Sequence, residues 1–491
     1  MHPWAALCAH FQEAMASFYV ENFGCRATQA DGAAVERQFR ERGLLRADHA
    51  SEAEVVVLNT CTVTASADRD ARAAIRRVRR ENPDCQIVVT GCYAQRAPEE
   101  IAALPGVSQV IGNSHKHRLA EIVLQQPDSH SGGRIPSVFV PLSTLAFGQR
   151  PFLACPEPNG EGTNDQPLTA NDQRRLFVSN IFAHTELLAA PVFDAANERT
   201  RPNLKVQDGC DNRCSFCVIP SVRGHSRSLP LPQVLAEVNA LAAAGYREVV
   251  ISGINLGRWG RDFATEATRF EDLVRAILER TALQKLRISS VEPMDWSGEL
   301  IQLMAESSRI AKHAHVPLQS GSDRVLRAMH RKYRPWHYRE KIEKIHTAMP
   351  TAAIGADVMV GFPGETDQDF DETRRLVEDL PFTYLHVFTY SPRPGTQAAE
   401  MRNQVPANVA KARNKVLRDL AAEKKLAFMR SFVGKTIEAI TLNVFDGTHT
   451  ECLTDNYLPL RMSGSHQPNR WTRALVDDLD GGMLIATRES I

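Results

Sequence analysis

The stretch that organises the chain is residues 207–217, which read QDGCDNRCSFC. Its three cysteines, Cys210, Cys214 and Cys217, are separated by three residues and then by two, and Phe216 precedes the last one. A loop with this spacing can hold three corners of a cubane 4Fe–4S cluster, which leaves the fourth iron without a protein ligand. The spacing therefore predicts an iron–sulfur cluster with one iron open to another molecule.

Two other uses of these cysteines stay open from the spacing alone. A structural zinc site takes four ligands, usually from paired C-x2-C motifs, and no second such motif follows residue 217. A disulfide framework needs an oxidising compartment and an even number of cysteines, whereas this loop holds three. The ten cysteines are scattered through 491 residues, which suits reduced thiols and cluster ligands.

The composition bounds the size of the protein without indicating a partner. A chain of 491 residues is long enough for about three domains and a large core. Lys and Arg total 58, as do Asp and Glu, so a nucleic-acid surface must come from local patches. No apolar run approaches the ~18 residues of a membrane span. The first residues lack the basic and apolar regions of a secretory signal, and we expect a cytoplasmic protein.

Strand-like and helical patterns alternate in the first part of the chain. Short apolar runs at 18–20, 54–58 and 86–90 read as strands, and residues 29–42 and 67–81 read as helices. Strands that alternate with helices indicate a parallel sheet with right-handed crossovers. The first domain is therefore predicted to be a parallel α/β sheet.

A cysteine follows each of these three predicted strands, namely Cys25, Cys61 and Cys92. Ligands of parallel sheets bind beyond the carboxyl ends of the strands, so these cysteines are expected to converge. Free cysteine is also common as a small buried apolar residue, but three cysteines at three matching positions favour a second cluster site. Cys85, at the opposite end of its strand, reads as structural.

The alternation resumes at residue 203, where six βα units begin. Six units are too few for a closed eight-stranded barrel, so an open, TIM-like (βα)6 partial barrel is expected, with its chemistry beyond the carboxyl ends of the strands. The last domain carries about five short strands with turn signals, which predicts a small all-β barrel. The six predicted strands of the partial barrel are 203–206, 248–251, 285–289, 315–318, 353–360 and 384–388.

A turn-rich, polar stretch separates the two α/β parts and reads as a linker or insertion, with short strands at 137–140 and 176–182. Met15 directly precedes the first strand, so a start at Met15 competes with the start at Met1. The predicted segments are a leader at 1–14, a sheet domain at 15–125, the insertion at 126–200, the partial barrel at 201–430 and the small barrel at 431–491.

Positive charge is concentrated in two predicted helices. The segment 431–491 contains five Lys/Arg and eight Asp/Glu, so this last domain is acidic overall. The helices at 67–81 and 408–430 are better electrostatic candidates for phosphate contact, although a solvated charged face explains the second helix equally simply. The candidate RNA-contacting residues are Arg76, Arg80, Lys415, Arg418 and Arg461.

The three-cysteine loop resembles the signature of radical SAM enzymes, and the chain as a whole resembles the radical SAM methylthiotransferases. The resemblance covers nearly the whole chain except the leader and the insertion. Thr28 departs from the family, which usually has Asn at this place after the first cysteine. The motifs that carry the resemblance are NTCT at 59–62, GCYAQ at 91–95, PLQSGSD at 317–323, GFPGET at 361–366 and, in a segment similar to a TRAM module, TDNY at 454–457.

This resemblance implies the cofactors and their ligands. The loop cysteines would hold a 4Fe–4S cluster that cleaves S-adenosylmethionine reductively to a 5′-deoxyadenosyl radical, which removes hydrogen from C2 of an adenine. A second 4Fe–4S cluster on Cys25, Cys61 and Cys92 would supply sulfur that is methylated from a second S-adenosylmethionine. The candidate S-adenosylmethionine contacts, each after or late in a barrel strand, are Asn255, Glu292, Gln319 and Asp357.

Two further motifs are most similar to one branch of the family, RGHSRS at 223–228 and GINLGRWG at 253–260. That branch acts on N6-threonylcarbamoyladenosine next to the anticodon of tRNA, which implies formation of the 2-methylthio base. Methylthiolation of N6-isopentenyladenosine in tRNA or of a ribosomal protein stays open, as does a non-enzymatic iron–sulfur protein that binds RNA. The implied partners are tRNA and an electron donor such as a flavodoxin or ferredoxin, whereas the sulfur source is left open.

Overall fold

The structure, a computed structural model, describes residues 16–125, 176–188, 201–264 and 268–488, so the predicted strand at 137–140 lies outside it. The described residues form, in chain order, a six-stranded parallel sheet, two sheets of four and three strands whose six parallel strands make up an open barrel, and a closed five-stranded barrel. This mixed α/β architecture confirms the predicted fold class. Within these four ranges, no helix has both the length and the apolar character that crossing a membrane requires.

The N-terminal sheet has the strands β1 (Ser17–Asn22), β2 (Leu45–Arg46), β3 (Val55–Thr60), β4 (Gln86–Gly91), β5 (Val107–Gly112) and β6 (Leu176–Phe177). Its helices are α1 (Arg26–Glu41), α2 (Ala65–Glu81), α3 (Cys92–Arg96), α4 (Pro98–Ala102) and α5 (Leu119–Leu124). The strands run in the order β2-β1-β3-β4-β5-β6 and pair in parallel. An apolar core lies on each face, so the central strand β3 is buried along its whole length.

The sixth strand comes from the segment that reads as an insertion. Leu176 pairs in parallel with Val110, and β6 ends after two residues instead of continuing to residue 182. The Asn180 side chain accepts a hydrogen bond from the Phe182 backbone N–H at 3.0 Å and starts a short 3-10 turn. This local hydrogen bond competes with strand pairing, which explains why the predicted strand is too long.

The partial barrel has the parallel strands β7 (Asn203–Asp208), β9 (Glu248–Gly253), β10 (Lys285–Ile288), β11 (His313–His315), β12 (Ala353–Val360) and β13 (Tyr384–Thr389), and β8 (Arg227–Ser228) is antiparallel to β7. Its helices are α6 (Ile219–Arg223), α7 (Leu231–Ala243), α8 (Phe270–Arg280), α9 (Gly298–Glu306), α10 (Asp323–Ala328), α11 (Pro335–Ala348), α12 (Asp367–Asp379), α13 (Gln397–Glu400) and α14 (Ala407–Arg430). Alternate residues of each strand, such as Leu204 and Val206 in β7, join one large core beneath the helices. The residues between them face the barrel interior.

The strand β11 lies earlier in the chain than the predicted 315–318. Pro317 has no backbone N–H to donate, and Gln319 has a positive φ of 65°. Residues after His315 still lie beside β12, because Val316 and Leu318 donate backbone hydrogen bonds to the carbonyl oxygens of Gly355 and Asp357. The segment therefore continues along β12 as an irregular edge that leads into the QSGS turn.

The closed barrel at the end of the chain consists of β14 (Thr436–Phe445), β15 (His449–Thr454), β16 (Pro459–Ser463), β17 (Trp471–Asp480) and β18 (Met483–Arg488). All five predicted strands are present. Its core includes Cys452 and packs against Met429 and Phe432 at the end of α14. Cys452 is therefore a buried apolar residue of this barrel.

The N-terminal sheet closes the open side of the partial barrel. On one side, Asp31 of α1 forms an ion pair with Lys205 of β7, the first barrel strand. On the other side, the Ala65 backbone N–H donates to Ser391 Oγ at 3.2 Å, just after β13, the last barrel strand. The carboxyl ends of β1, β3 and β4 consequently point into the gap between the first and last barrel strands.

Candidate functional site

The three-cysteine loop is held in place by backbone geometry at its start and by hydrogen bonds in its middle. Gly209 has a φ of 71°, and a Cβ there would lie 1.9 Å from the carbonyl oxygen of His225, so only glycine fits. The Cys210 backbone N–H donates to the Gly224 carbonyl at 3.1 Å. Ser215 donates through its backbone N–H to Met329 and through its hydroxyl to Ala328. These contacts orient the loop over the carboxyl ends of the barrel strands.

The three loop thiols share one partly enclosed environment. Burial, together with the neighbouring thiols of Cys214 and Cys210, raises the pKa of Cys217 to about 12. Burial likewise raises the pKa of Cys210, with a contribution from Cys214. Thiols in this setting become thiolates only when a nearby positive charge compensates them, which an iron cluster provides. The donor set therefore fits a cluster of the predicted kind.

The spacing of the thiols disfavours a single metal ion. The possible ligand atoms are His nitrogens, Cys sulfurs and carboxylate oxygens. Among the residues that the structure describes, only His315, Asp357 and His386 place three of these atoms within 4.8 Å of one another. One tetrahedral zinc ion with Zn–S bonds of about 2.3 Å brings its thiolates to roughly 4 Å. Both cysteine trios are wider than that, as the larger body of a 4Fe–4S cluster requires.

Two polar side chains donate to the loop thiols. Asn255 Nδ2 lies 3.6 Å from Cys210 Sγ, and Arg331 Nη1 lies 3.3 Å from Cys214 Sγ. Glu292 forms an ion pair with Arg331 and so fixes its position. Arg331 lies in a loop without a recognisable motif, and only the tertiary fold brings it to the cysteines. Asn255 and Glu292, in contrast, lie beside the loop as the sequence predicts.

Two of the predicted S-adenosylmethionine contacts have a buried amide oxygen without a partner among the described residues, Oδ1 of Asn255 and Oε1 of Gln319. A buried acceptor is normally hydrogen-bonded, so these oxygens fit a ligand that carries donors, such as the amino group of S-adenosylmethionine. The carboxylate of Asp357, whose backbone carbonyl accepts from Gln319, contacts His315 Nε2 at 3.2 Å and His386 Nδ1 at 3.3 Å within the barrel interior.

The second trio of cysteines converges at the carboxyl ends of β1, β3 and β4. Gly91, with a φ of 101°, turns the chain into Cys92, and a Cβ there would lie 2.2 Å from the Thr60 carbonyl oxygen. Burial, together with the neighbouring thiols of Cys92 and Cys25, raises the pKa of Cys61 to about 11. The three thiols thus lie within electrostatic reach of one another, and Cys25 alone is exposed.

The Thr28 hydroxyl lies 3.5 Å from Cys25 Sγ. The residue that departs from the family pattern is therefore in contact with a proposed ligand, and its hydroxyl can donate to a thiolate at that position.

A buried network of charges lies beside this second trio. Asp31 pairs with Lys116 at 3.1 Å, with Arg223 at 3.0 Å and with Lys205, and Asp208 pairs with Arg223 at 2.9 Å and with Lys205 at 2.8 Å. Burial alone would raise the pKa of Asp31, but Arg223, Lys116 and Lys205 outweigh it and hold the pKa at about 2.

The network leaves an excess of positive charge, because Arg227 also lies 4.0 Å from Asp208 and four cations face two carboxylates. Cys92 and Cys25 help to raise the pKa of Arg223, so this charge is directed at the second trio. A cationic neighbour stabilises thiolates and an anionic cluster. The sequence signal for the network is weak: Asp31 stands among alanines in α1, and Lys205 occupies an inward position of an apolar strand.

The candidate RNA-contacting residues lie apart from both trios. Arg76, Arg80 and Arg418 are exposed, and Lys415 is exposed and paired with Asp419 at 2.5 Å. Arg461 lies on β16 opposite Glu451 and is half-buried.

One basic residue of α14 forms ion pairs within the protein instead of facing solvent. Arg413 is buried and pairs with Glu365 and Asp367, each at 2.6 Å. A guanidinium that is engaged in this way is unavailable for phosphate contact.

Comparisons with known proteins agree with this arrangement. Residues 17–112 match the uncharacterized protein family UPF0004, and residues 204–377 match the radical SAM superfamily. The threonylcarbamoyladenosine tRNA methylthiotransferase MtaB of Bacillus subtilis is 34% identical over 92% of this chain and 91% of its own. Its namesake in Aquifex aeolicus is 32% identical over 93% and 99%. The tRNA-2-methylthio-N(6)-dimethylallyladenosine synthase of Thermobifida fusca is 33% identical over 94% and 84%.

A solved structure shares the fold at low sequence identity. The radical S-adenosylmethionine methyltransferase TsrM of Kitasatospora setae, with cobalamin and a [4Fe-4S] cluster bound, aligns with a TM-score of 0.53. It is 15% identical and covers 78% of this chain and 77% of its own. At this identity the similarity concerns the fold alone.

Proposed function

Because the chain belongs to the radical SAM methylthiotransferases, we propose that it methylthiolates C2 of N6-threonylcarbamoyladenosine in tRNA, giving the 2-methylthio base. A 4Fe–4S cluster and S-adenosylmethionine are the cofactors of the superfamily that residues 204–377 match. We further propose a second 4Fe–4S cluster, on Cys25, Cys61 and Cys92. We also propose the domain division 15–125, 201–430 and 431–491.

The observation that carries this proposal is the closeness of the two cysteine trios. Cys92 packs in one small apolar cluster with Val218 and Val222, and Val218 directly follows Cys217. A centre that activates the substrate and a centre that donates sulfur must both reach one carbon atom. Val218 thus connects Cys217 of the first trio with Cys92 of the second, and this closeness suits the requirement.

Side chains of this protein orient the cofactors and compensate their charge. When bound, the clusters and S-adenosylmethionine supply radical chemistry at the C2–H bond and the sulfur that replaces the hydrogen. Cys210, Cys214 and Cys217 would hold the first cluster, and Arg331 and Asn255 donate hydrogen bonds to two of these thiolates. The unpaired amide oxygens of Asn255 and Gln319 would accept from S-adenosylmethionine.

The substrate RNA is expected to bind through its phosphates, with the target base splayed out of a single-stranded loop. The cations proposed for this contact are the exposed Arg76, Arg80, Lys415 and Arg418 and, on the small barrel, the half-buried Arg461. The electron donor is proposed to be a flavodoxin or ferredoxin. Because each phosphate contact releases counterions, binding by these residues would weaken steeply with salt.

Mass spectrometry of tRNA nucleosides from a strain that lacks this gene tests the function. We expect 2-methylthio-N6-threonylcarbamoyladenosine to disappear and its unmodified precursor to accumulate. Wild-type protein restores the base, and a variant with Cys210, Cys214 and Cys217 changed to alanine does not. Loss of the isopentenyl counterpart, or of methylthio label in a ribosomal protein, would replace the proposed substrate with one of the alternatives.

A further inference from the structure

A tyrosine of the small barrel reaches into the interior of the partial barrel. Tyr457 has a positive φ of 70°, which a side chain rarely adopts. The turn is held by a 2.6 Å hydrogen bond from Thr454 Oγ1 to Asn456 Oδ1 and by a 2.9 Å hydrogen bond from Asn456 Nδ2 to the Thr351 carbonyl. These hydrogen bonds therefore fix the ring at the start of the barrel strands.

Three guanidinium groups surround the Tyr457 ring. Arg287 of β10 lies 5.0 Å and Arg201 lies 5.4 Å from the ring centroid, and Arg26 donates to the Tyr457 hydroxyl at 3.4 Å. Arg26 directly follows Cys25 of the second trio. The group thus joins all three parts of the chain and adjoins a proposed cluster ligand.

Positive charge exceeds negative charge in this group. Arg287 pairs through Nε with Glu248 Oε1 at 2.5 Å, and the buried Asp455 carboxylate, which pairs with Lys285, lies within electrostatic reach of Arg287. Burial lowers the pKa of Arg201, and Arg287 and Arg26 contribute to the decrease although Glu248 opposes them. With Lys285 and its second partner Glu438 included, four cations face three carboxylates, which favours a further anion.

Arg287 presents a vacant pair of donors to that anion. Its side chain is only 1% exposed, yet neither Nη1 nor Nη2 has a hydrogen-bond partner in the part of the chain that the structure describes. A buried donor without a partner loses the hydrogen bonds that water gave it. The planar guanidinium fork matches a carboxylate or a phosphate, which it binds through two parallel hydrogen bonds.

The substrate base carries a suitable anion. N6-threonylcarbamoyladenosine ends in a threonyl carboxylate, whereas the isopentenyl group of the alternative substrate is uncharged. A site built to hydrogen-bond one group rejects an analogue that lacks it far more strongly than an apolar pocket rejects an isostere. A cationic group that includes Arg26, the residue after Cys25, would therefore select the threonylcarbamoyl base.

Resting on the proposed function, we propose that Arg287, assisted by Arg26, binds the threonyl carboxylate of the substrate base and is the main determinant of substrate choice. A backbone phosphate of the RNA is a second anion that the same guanidinium groups would bind. The two sources differ in one testable respect: only the carboxylate can be neutralised by chemical synthesis while every phosphate of the RNA is kept.

The test compares two anticodon stem-loop RNAs, one with N6-threonylcarbamoyladenosine and one with its primary amide, which is uncharged. Reconstituted wild-type enzyme should prefer the acid in kcat/KM. In R287Q and R26Q, we expect kcat/KM for the acid to fall roughly ten- to a hundredfold, as the loss of a hydrogen bond to a charged group implies. For the amide RNA, kcat/KM should change less than about twofold in these variants, because the amide has already lost the contact with the guanidinium.

Each outcome decides between carboxylate and other roles. Because R287Q leaves Glu248 buried without its partner, R26Q provides a second variant at an exposed position. Equal losses for both RNAs in both variants would identify a phosphate contact or a folding defect and would overturn the inference. Unchanged preference would overturn it as well. Failure of the wild type to methylthiolate the acid RNA would instead overturn the proposed function itself.

Discussion

Replacement of Asp31 by asparagine tests whether buried charge fixes the N-terminal sheet to the barrel. The substitution keeps the shape of the side chain and removes its charge. Lys116, Lys205 and Arg223 then face only Asp208, so the excess positive charge of the network rises by one. Since all five groups are buried, water compensates little of this charge.

Two arguments give the size of the effect. Folding lowers the pKa of Asp31 from 3.8 to about 2, which corresponds to roughly 2 kcal/mol of stability at neutral pH. Removing one partner of a buried ion pair generally costs about 3–5 kcal/mol, because the other charge is left uncompensated. We therefore expect D31N to lower the free energy of unfolding at pH 7 by about 2–5 kcal/mol.

The pH dependence follows from the direction of the pKa change. A carboxyl group whose pKa is lower in the folded state stabilises the fold above its unfolded pKa. The contribution of Asp31 is therefore complete above about pH 4 and is lost as the pH falls toward 2. The difference between wild type and D31N should stay constant from pH 7 to pH 5 and shrink below about pH 4.

Urea unfolding followed by circular dichroism measures this difference. D70N is a matched control, because Asp70 is an exposed carboxylate on the same N-terminal sheet domain, in α2. It should change the free energy of unfolding by less than about 0.5 kcal/mol. If D31N were as mild as D70N, the network would not stabilise the docked sheet and the reasoning would be refuted.

Two further predictions concern the cluster sites. R331M removes the hydrogen bond from Arg331 to Cys214 Sγ, and this hydrogen bond favours the reduced cluster because that state is more negative. The midpoint potential of the cluster should therefore fall by on the order of 50 mV in an EPR-monitored titration. An unchanged potential would exclude this role of Arg331. G91A forces a Cβ toward the Thr60 carbonyl at a φ of 101°, so it should lower stability by roughly 1–3 kcal/mol and reduce iron in the second trio, while G245A, in open space at a φ of 95°, should keep its iron. Equal iron in the two glycine variants would contradict the packing argument.

Local pattern was enough to predict much of the fold and both cysteine trios. The spacing around Cys210 and the strand ends before Cys25, Cys61 and Cys92 are short-range signals, and the period of apolar residues distinguishes strands from helices. The strand β11 was misplaced because Pro317 and the positive φ of Gln319 interrupt an otherwise strand-like run.

The remaining parts of the site depend on contacts between distant segments. Arg331 reaches Cys214 across 117 residues, and Lys205 reaches Asp31 across 174 residues, so no window of sequence contains both partners. Asp357 is a predicted cofactor contact from its place in a strand, whereas its partners His315 and His386, which come from the neighbouring strands, are seen only in the structure. Charge in a sequence gives no information about the partner that neutralises it in the fold.

The proposed chemistry needs two iron–sulfur centres, one on each cysteine trio, and iron counting after anaerobic loading tests their presence most directly. Wild type should bind about eight iron atoms per chain. The variant with Cys210, Cys214 and Cys217 changed to alanine, and the variant with Cys25, Cys61 and Cys92 changed to alanine, should each bind about four, with unchanged circular dichroism. Equal iron in wild type and either folded variant would contradict the two-cluster account.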